Sequence, residues 1–141
     1  MTELTIRRVI AASPGRLFDA WTRPDLLRQW FGPAGVSCIG AEVDLRPGGA
    51  YRIGNQLPDG AIVWIEGEFE LVDSPRRLVY SWRIGDEQPS RVTVSFTAID
   101  DGATEVVVLH ERIDTIETRD GHERGWLGCL DGLERWSTIA R

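Results

Sequence analysis

The middle of the chain alternates hydrophobic and polar residues over six consecutive stretches from Ser37 onward, which predicts six β-strands. The longest stretch runs from Ala61 to Val72, where apolar residues at every second position oppose Glu66, Glu68 and Glu70. Turn signals rich in proline, glycine and aspartate separate the stretches. Strands joined by such short turns form an antiparallel meander.

The N-terminal part predicts one more strand and two short helices. A run of β-branched and apolar residues from Glu3 to Ala11 indicates the strand. Ser13-Pro14 then provides an N-cap residue followed by proline at the first helical position. Pro24-Asp25 opens a second short helix, and Gly32-Pro33 ends it.

The C-terminal part changes to a period of three to four residues, with Trp126, Leu130 and Leu133 on one face. This pattern predicts one long amphipathic helix from about Arg119 to the end of the chain, with Ala140 extending the face. Each glycine costs a helix about 1 kcal/mol relative to alanine. Several glycines therefore indicate either a frayed helix or a large group that approaches its backbone closely. They are Gly121, Gly125, Gly128 and Gly132.

These elements predict an α+β, helix-grip architecture for residues 1–141 as one domain. A curved antiparallel sheet of about seven strands wraps around the long C-terminal helix, and two short helices follow strand 1. A sheet with one hydrophobic face must cover that face, and the long helix does so. Because a curved sheet bends away from the helix, we expect a space between them that forms a binding site.

The composition of the chain argues against several classes of function. The net charge is -6, so nucleic acid is an unfavourable partner. No apolar run approaches the roughly 20 residues of a membrane span, and the start lacks the apolar stretch of a signal peptide, so we expect a cytoplasmic protein and no membrane partner. All 16 basic residues are arginine, which excludes a lysine Schiff base. Cys38 and Cys129 fit no metal spacing, and we expect no metal and no cofactor.

Aromatic residues supply the first candidate site, because their positions in the strands and helices direct them into the predicted space. As ligand-binding residues they would form an apolar pocket with a few polar tips. The alternative is that they only fill the core, and the sequence leaves both open. The apolar candidates are Trp30, Phe31, Tyr51, Phe69, Tyr80, Trp82, Phe96, Trp126 and Leu130.

Two histidines are the candidates for chemistry. His110 shares a strand face with Val106 and Val108, and His122 lies one helical turn before Trp126. Both could border the same space as a general acid–base pair or as polar anchors for a ligand. The alternatives are a buried, hydrogen-bonded His110 and a solvated His122. A metal site would require a third ligand that the pattern does not supply.

Short motifs along almost the whole chain resemble one known family. The motifs are Trp21-Thr22, Trp30-Phe31, Asp44-Leu45-Arg46-Pro47-Gly48-Gly49, Gly67-Glu68, Pro75, Arg77-Leu78-Val79, Ser81-Trp82, Val92-Thr93-Val94-Ser95-Phe96, Thr104, His110, His122, Gly125-Trp126 and Leu130-Asp131. In this order they resemble the helix-grip (SRPBCC) superfamily of START domains, polyketide cyclases and Bet v 1-like allergens. Within it they resemble the Aha-type family, the activator of heat-shock-protein ATPase homologues.

The resemblance implies the helix-grip fold and leaves three functions open. The first is binding of a small hydrophobic or aromatic molecule between the sheet and the helix, without catalysis. The second is a cyclase-like or hydrolase-like enzyme that uses His110 or His122 to move protons. The third is a chaperone-activator module that acts through its outer surface. A homodimer and a chaperone partner both stay open.

Overall fold

A computed structural model describes residues 1–139 of the chain. Its elements follow the predicted order of strand, two short helices, six strands and long helix. They are β1 (Thr2–Ile10), α1 (Pro14–Thr22), α2 (Pro24–Trp30), β2 (Ser37–Val43), β3 (Ala50–Gln56), β4 (Ile62–Asp73), β5 (Arg77–Ile84), β6 (Ser90–Asp100), β7 (Ala103–Ile113) and α3 (Ile116–Ile139). The seven strands form one antiparallel sheet in the order β1-β7-β6-β5-β4-β3-β2. The predicted α+β helix-grip architecture is confirmed.

Two helix starts show how local caps set the boundaries. The Arg16 N–H donates to the Ser13 side chain at 3.2 Å, so Ser13 caps α1 as predicted. Helix α3 begins at Ile116, earlier than the predicted Arg119, because the Thr118 N–H donates to Thr115 Oγ1 at 3.1 Å. The predicted C-terminal extension through Ala140 lies outside the described residues. No helix within residues 1–139 is both long and apolar enough to cross a membrane.

The core lies between α3 and the concave face of the sheet. Each strand contributes its inward set of alternating residues, and the predicted inward face of β7, from Thr104 to His110, is fully buried. The acids of β4 that were predicted to face outward form ion pairs at the surface. Glu66 Oε2 lies 3.8 Å from Arg83 Nη2, and Glu70 Oε2 lies 3.1 Å from Arg91 Nε. The alternation predicted the two faces of β4 correctly as far as Phe69, but a register shift between Phe69 and Leu71 then turns Val72, and not the predicted Leu71, toward the core.

The four helix glycines fall into two groups that differ in what lies beside them. A Cβ on Gly128 would lie 2.6 Å from Pro33 Cβ, and a Cβ on Gly132 would lie 2.9 Å from the Trp30 carbonyl oxygen. These two positions confirm the expected close approach to the helix backbone. A Cβ on Gly125 would meet no atom within 4 Å, and one on Gly121 only the Arg124 side chain at 3.9 Å. The helix is thus pressed against the α2–β2 connection at its C-terminal half and stands clear of it at its N-terminal half.

We predict opposite effects from adding one methyl group to each half of α3. Gly125→Ala should stabilise the protein by up to about 1 kcal/mol, because alanine favours helix and its Cβ meets open space. Gly128→Ala should destabilise it by about 1–3 kcal/mol, because the new Cβ overlaps Pro33. Urea unfolding midpoints of the two variants and the parent measure this. Equal shifts for both variants would contradict the assignment of the two halves.

Candidate functional site

A cavity of about 180 Å³ lies between the sheet and the N-terminal half of α3. Indole, imidazole and phenyl rings form much of its wall, and glycines form part of the helix side. Several of its lining residues on α3 remain partly exposed, which places its opening along this half of the helix. The lining residues are Phe31, Pro33, Asn55, Ile65, Trp82, Ile84, Gly121, His122, Gly125, Trp126 and Cys129.

A second space of only about 20 Å³ lies between the two short helices and strands β2 to β5. Phe31 and Trp82 line both spaces, so these two side chains divide the region under the sheet. Tyr51, Phe69 and Tyr80 line the small space and pack edge to face or tilted, with ring centroids 5.2–6.0 Å apart. Aromatic side chains therefore fill most of the predicted space, and what stays open is the part beside Gly121 and Gly125.

The two histidine rings pack against each other beside the cavity. Their rings stack with centroids 4.6 Å apart, and Trp82 lies 5.3 Å from His110 and 5.8 Å from His122. Trp126 packs against Trp82 at 5.3 Å. The phase of β7 and of α3 thus brings together two imidazoles and two indoles, as the sequence indicated. Of the two imidazoles, His122 lines the cavity and His110 does not.

Hydrogen bonds fix the protonation state of His110. The Trp126 indole N–H lies 3.1 Å from His110 Nδ1, and since an indole only donates, Nδ1 accepts. The proton of the neutral ring is then on Nε2, which donates to Ser90 Oγ at 2.7 Å. The Ser90 hydroxyl donates onward to the Trp82 carbonyl oxygen at 3.3 Å. Both nitrogens of His110 are occupied by protein groups.

Burial shifts the ionisable groups of this region toward their neutral forms. Burial, and secondarily the neighbouring His122, lower the pKa of His110 to about 3. Burial also lowers the pKa of His122, whose Nε2 lies 3.8 Å from Glu87 Oε1. Burial raises the pKa of the Cys129 thiol to about 12. At neutral pH the lining of the cavity is therefore uncharged.

Two polar atoms on lining residues have no protein partner. Asn55 Oδ1 and Trp82 Nε1 are buried and unpaired in residues that are 7% and 6% exposed. Other buried indoles are satisfied: Trp21 Nε1 donates to the Tyr80 hydroxyl at 3.1 Å, and Trp30 Nε1 to the Ala20 carbonyl at 2.8 Å. Both atoms belong to residues that line the cavity, and each atom is itself buried.

The structure places the predicted site residues in three positions. Phe31, Trp82, His122 and Trp126 line the larger cavity, and Tyr51, Phe69 and Tyr80 line the small one. The other four are buried but line neither space: Trp30, Phe96, His110 and Leu130. Phe96 packs instead against Phe18 and Trp21, with ring centroids 5.9 and 5.7 Å away.

Sequence reasoning missed Asn55, which follows Tyr51 and Ile53 in the inward phase of β3. A single amide on an otherwise apolar strand face was the available signal. It also noted Gly125 without assigning it to the site. Among residues 1–139 no group of three or more histidine, cysteine or acidic side chains is placed to hold a metal ion.

The chain belongs to the family described as Activator of Hsp90 ATPase homolog 1-like protein (AHSA1), which matches residues 11–137. This family is part of the SRPBCC helix-grip superfamily, so the resemblance inferred from the sequence is confirmed. A comparison with curated proteins found no significant match.

Several solved structures share this fold. An AHSA1 protein from Silicibacter pomeroyi is 22% identical, with a TM-score of 0.89 and coverage of 99% of this chain and 100% of that one. An AHSA1-like protein from Aeromonas hydrophila is 26% identical, with a TM-score of 0.79 and coverage of 99% and 94%. An HSP90 activator from Plasmodium falciparum is 24% identical, with a TM-score of 0.72 and coverage of 95% and 94%.

The neutral state of His110 predicts a pH dependence of stability. In the unfolded chain the histidine titrates near 6.5, and in the folded protein near 3, so only the unfolded state binds this proton between these values. Stability is then fully present above pH 6.5 and falls as the pH decreases, by about 1.4 kcal/mol per pH unit for this residue. In His110→Gln the slope between pH 4 and 6.5 should decrease by this amount, measured by urea unfolding. An identical slope in both proteins would show that His110 is protonated when folded.

Proposed function

We propose that this protein binds a small hydrophobic molecule of about one aromatic ring in the cavity between the sheet and α3. The observation that carries the proposal is the open volume of about 180 Å³ beside Gly125, walled by Trp82 and Trp126. A packed core ordinarily leaves few voids larger than a water molecule. Here the void coincides with two helix glycines whose missing side chains would otherwise project into open space.

The volume limits the size of the ligand. An apolar protein cavity of roughly 150 Å³ accommodates benzene, so a space of about 180 Å³ suits a single substituted ring. The rings of Phe31, Trp82 and Trp126 offer faces and edges to an aromatic guest. A ligand this small has few atoms to contribute binding energy, so we expect a dissociation constant of about 1 µM or weaker.

The geometry favours binding over proton transfer by His110. The lone pair of His110 Nδ1 accepts the Trp126 N–H, and the residue is fully buried behind the cavity wall. A general base must reach the proton it removes, and His110 faces only protein groups. His122 does line the cavity, and it is neutral at physiological pH, so it can contribute a polar contact to a ligand.

The binding proposal predicts that a side chain added at Gly125 excludes the ligand. Toluene, as a ring-sized apolar probe, should shift the amide signals of Gly125 and Trp126 in NMR spectra and quench tryptophan fluorescence. Gly125→Leu should abolish both effects while the protein stays folded, because the leucine occupies the cavity.

The matched control adds the same side chain at an exposed position of the same helix, Thr138→Leu. This variant should bind toluene like the parent protein. A parent protein that shows no response to toluene, or a Gly125→Leu variant that responds fully, would refute the proposed function.

Activation of a chaperone ATPase is a second candidate function, and the description of the matching family supports it. The matching family is described by an Hsp90 ATPase activator, and one solved relative of this fold is titled an HSP90 activator. The chain aligns with 94% of that relative, so the shared fold alone accounts for almost all of the solved chain.

Mixing experiments test this candidate. If the protein is an activator, an excess of it should raise the ATP hydrolysis rate of a purified Hsp90-type chaperone above that of the chaperone alone. The cavity-filled Gly125→Leu variant should stimulate equally, because an outer surface would make the contact. A rate that does not change with excess protein would exclude the activator role for that chaperone.

A further inference from the structure

We propose that two copies of this protein associate through the outer face of strands β2 to β5, the face turned away from α3, with Arg52 of each copy paired to Glu66 of the other. This surface is separate from the cavity, so the association does not depend on the proposed function. Two features of the outer face carry the inference: a row of charges that is complementary to itself, and a tryptophan beside that row.

Four charged side chains form one row across these strands. Each lies directly opposite the next in the strand pairing, and the signs alternate from negative to positive along the row. All four line one depression of about 440 Å³ in the outer face. In order across the sheet they are Glu42, Arg52, Glu66 and Arg83.

One copy of the protein does not pair all of these charges. Glu66 lies 3.8 Å from Arg83, and both side chains are about half exposed. Within residues 1–139, neither Glu42 nor Arg52 forms an ion pair. The Arg52 guanidinium instead lies over the Trp64 ring, with its central carbon 3.9 Å from the ring centroid. The row therefore keeps a carboxylate and a guanidinium that can pair with a second molecule.

The alternating signs make the row complementary to a second copy of itself. In a two-fold symmetric dimer each contact between two different residues occurs twice, once in each direction. A two-fold axis that runs along the strands, between β3 and β4, reverses the row in the second copy. Arg52 then faces Glu66, and Glu42 faces Arg83. An axis across the strands would place each charge opposite its own copy, and like charges repel, so the pattern selects the first arrangement.

Trp64 lies next to this row on the same face, directly opposite Gly54 of β3. A Cβ on Gly54 would lie 2.8 Å from the Trp64 ring, so the absence of a side chain lets the indole lie against the sheet. The same two-fold axis passes between β3 and β4, so it brings the Trp64 side chains of the two copies together. Ile62, which is 47% exposed, extends this apolar area along β4. Tryptophan and arginine are the residue types that most often dominate the binding energy of an interface.

The mixed charge of the row favours a second copy over a partner of one sign. A strongly acidic or strongly basic partner would meet both signs along the row, and repulsion would offset attraction. A second copy supplies the matching order by symmetry. Because four strands lie only about 4.8 Å apart, the contact is smaller than the roughly 800 Å² per partner of a stable complex. We therefore expect a dissociation constant of about 10 µM or weaker.

Sedimentation velocity tests the association. For the parent protein between about 5 µM and about 1 mM, the sedimentation coefficient should rise as monomer converts to dimer. High salt should reduce this rise, because it screens exposed charges. Arg52→Glu and Glu66→Arg should each weaken dimerisation at least about a hundredfold, because symmetry makes two attractive pairs repulsive.

An equal mixture of these two variants is the decisive sample. In a mixed dimer the glutamate introduced by Arg52→Glu faces the arginine introduced by Glu66→Arg. The unchanged Glu66 of the first variant faces the unchanged Arg52 of the second. Both pairs are attractive, so the mixture should dimerise like the parent although neither variant does so alone.

Two further variants separate the named surface from general effects of charge. Arg7→Glu reverses an exposed charge on β1, at the opposite edge of the sheet, and should dimerise like the parent. Trp64→Ala keeps every charge and should weaken dimerisation about tenfold, because the two indoles no longer meet. Urea unfolding checks that each variant is folded. If a charge reversal unfolds the chain, Trp64→Ala and the salt series on the parent still test the inference.

Three results would overturn the inference. The first is a parent protein that stays monomeric over the whole concentration range. The second is a dimer that neither charge reversal weakens, since the contact would then lie elsewhere. The third is loss of the dimer in both variants without recovery in the mixture, which would show that Arg52 and Glu66 do not face each other across a two-fold axis.

Discussion

The contact between the α2–β2 connection and the glycines of α3 is the constraint on which the site depends. Pro33 and the Trp30 carbonyl lie so close to Gly128 and Gly132 that no side chain fits between them. Arg8 adds ion pairs from β1 to Asp131 at 2.7 Å and to Glu134 at 3.1 Å on the same half of the helix. The helix is therefore held against this connection at its C-terminal half, and open space remains beside Gly121 and Gly125 in its N-terminal half.

The buried His110 connects the elements that lie beside the cavity. It joins three elements through one chain of hydrogen bonds, from Trp126 on α3 through His110 on β7 to Ser90 on β6. Protonation would add a second hydrogen at Nδ1, where the indole already donates, so the chain holds only while the ring is neutral. This arrangement explains why, of a histidine pair that looks suited to catalysis from the sequence, His110 serves the structure and only His122 lines the cavity.

Periodicity predicted the fold because each strand has one buried face and each helix one buried stripe. Alternation alone predicted that His110 points inward and Glu66 outward. In the structure His110 is fully buried and Glu66 forms an ion pair at the surface. The start of α3 needed the Thr115 cap, a local hydrogen bond that the wider hydrophobic period does not reveal.

The site was less predictable, because it depends on which residues meet across the fold. The sequence indicated that the helix glycines have a role, but it could not separate Gly128, which contacts Pro33, from Gly125, which borders open space. It also could not show that Phe96 packs against α1 rather than the cavity. The orphaned oxygen of Asn55 is a property of its surroundings, so only the packed structure identifies it.

The most direct test of the central claim is a crystal structure of the protein pressurised with xenon. Xenon occupies dry apolar cavities of this size without depending on any polar match. The account predicts a xenon atom inside the cavity, with the Trp82 and Trp126 rings on one side of it and the backbone of Gly125 on the other. A structure in which side chains cover Gly125 and no xenon binds there would show that α3 lies flat against the sheet along its whole length, and would contradict the account.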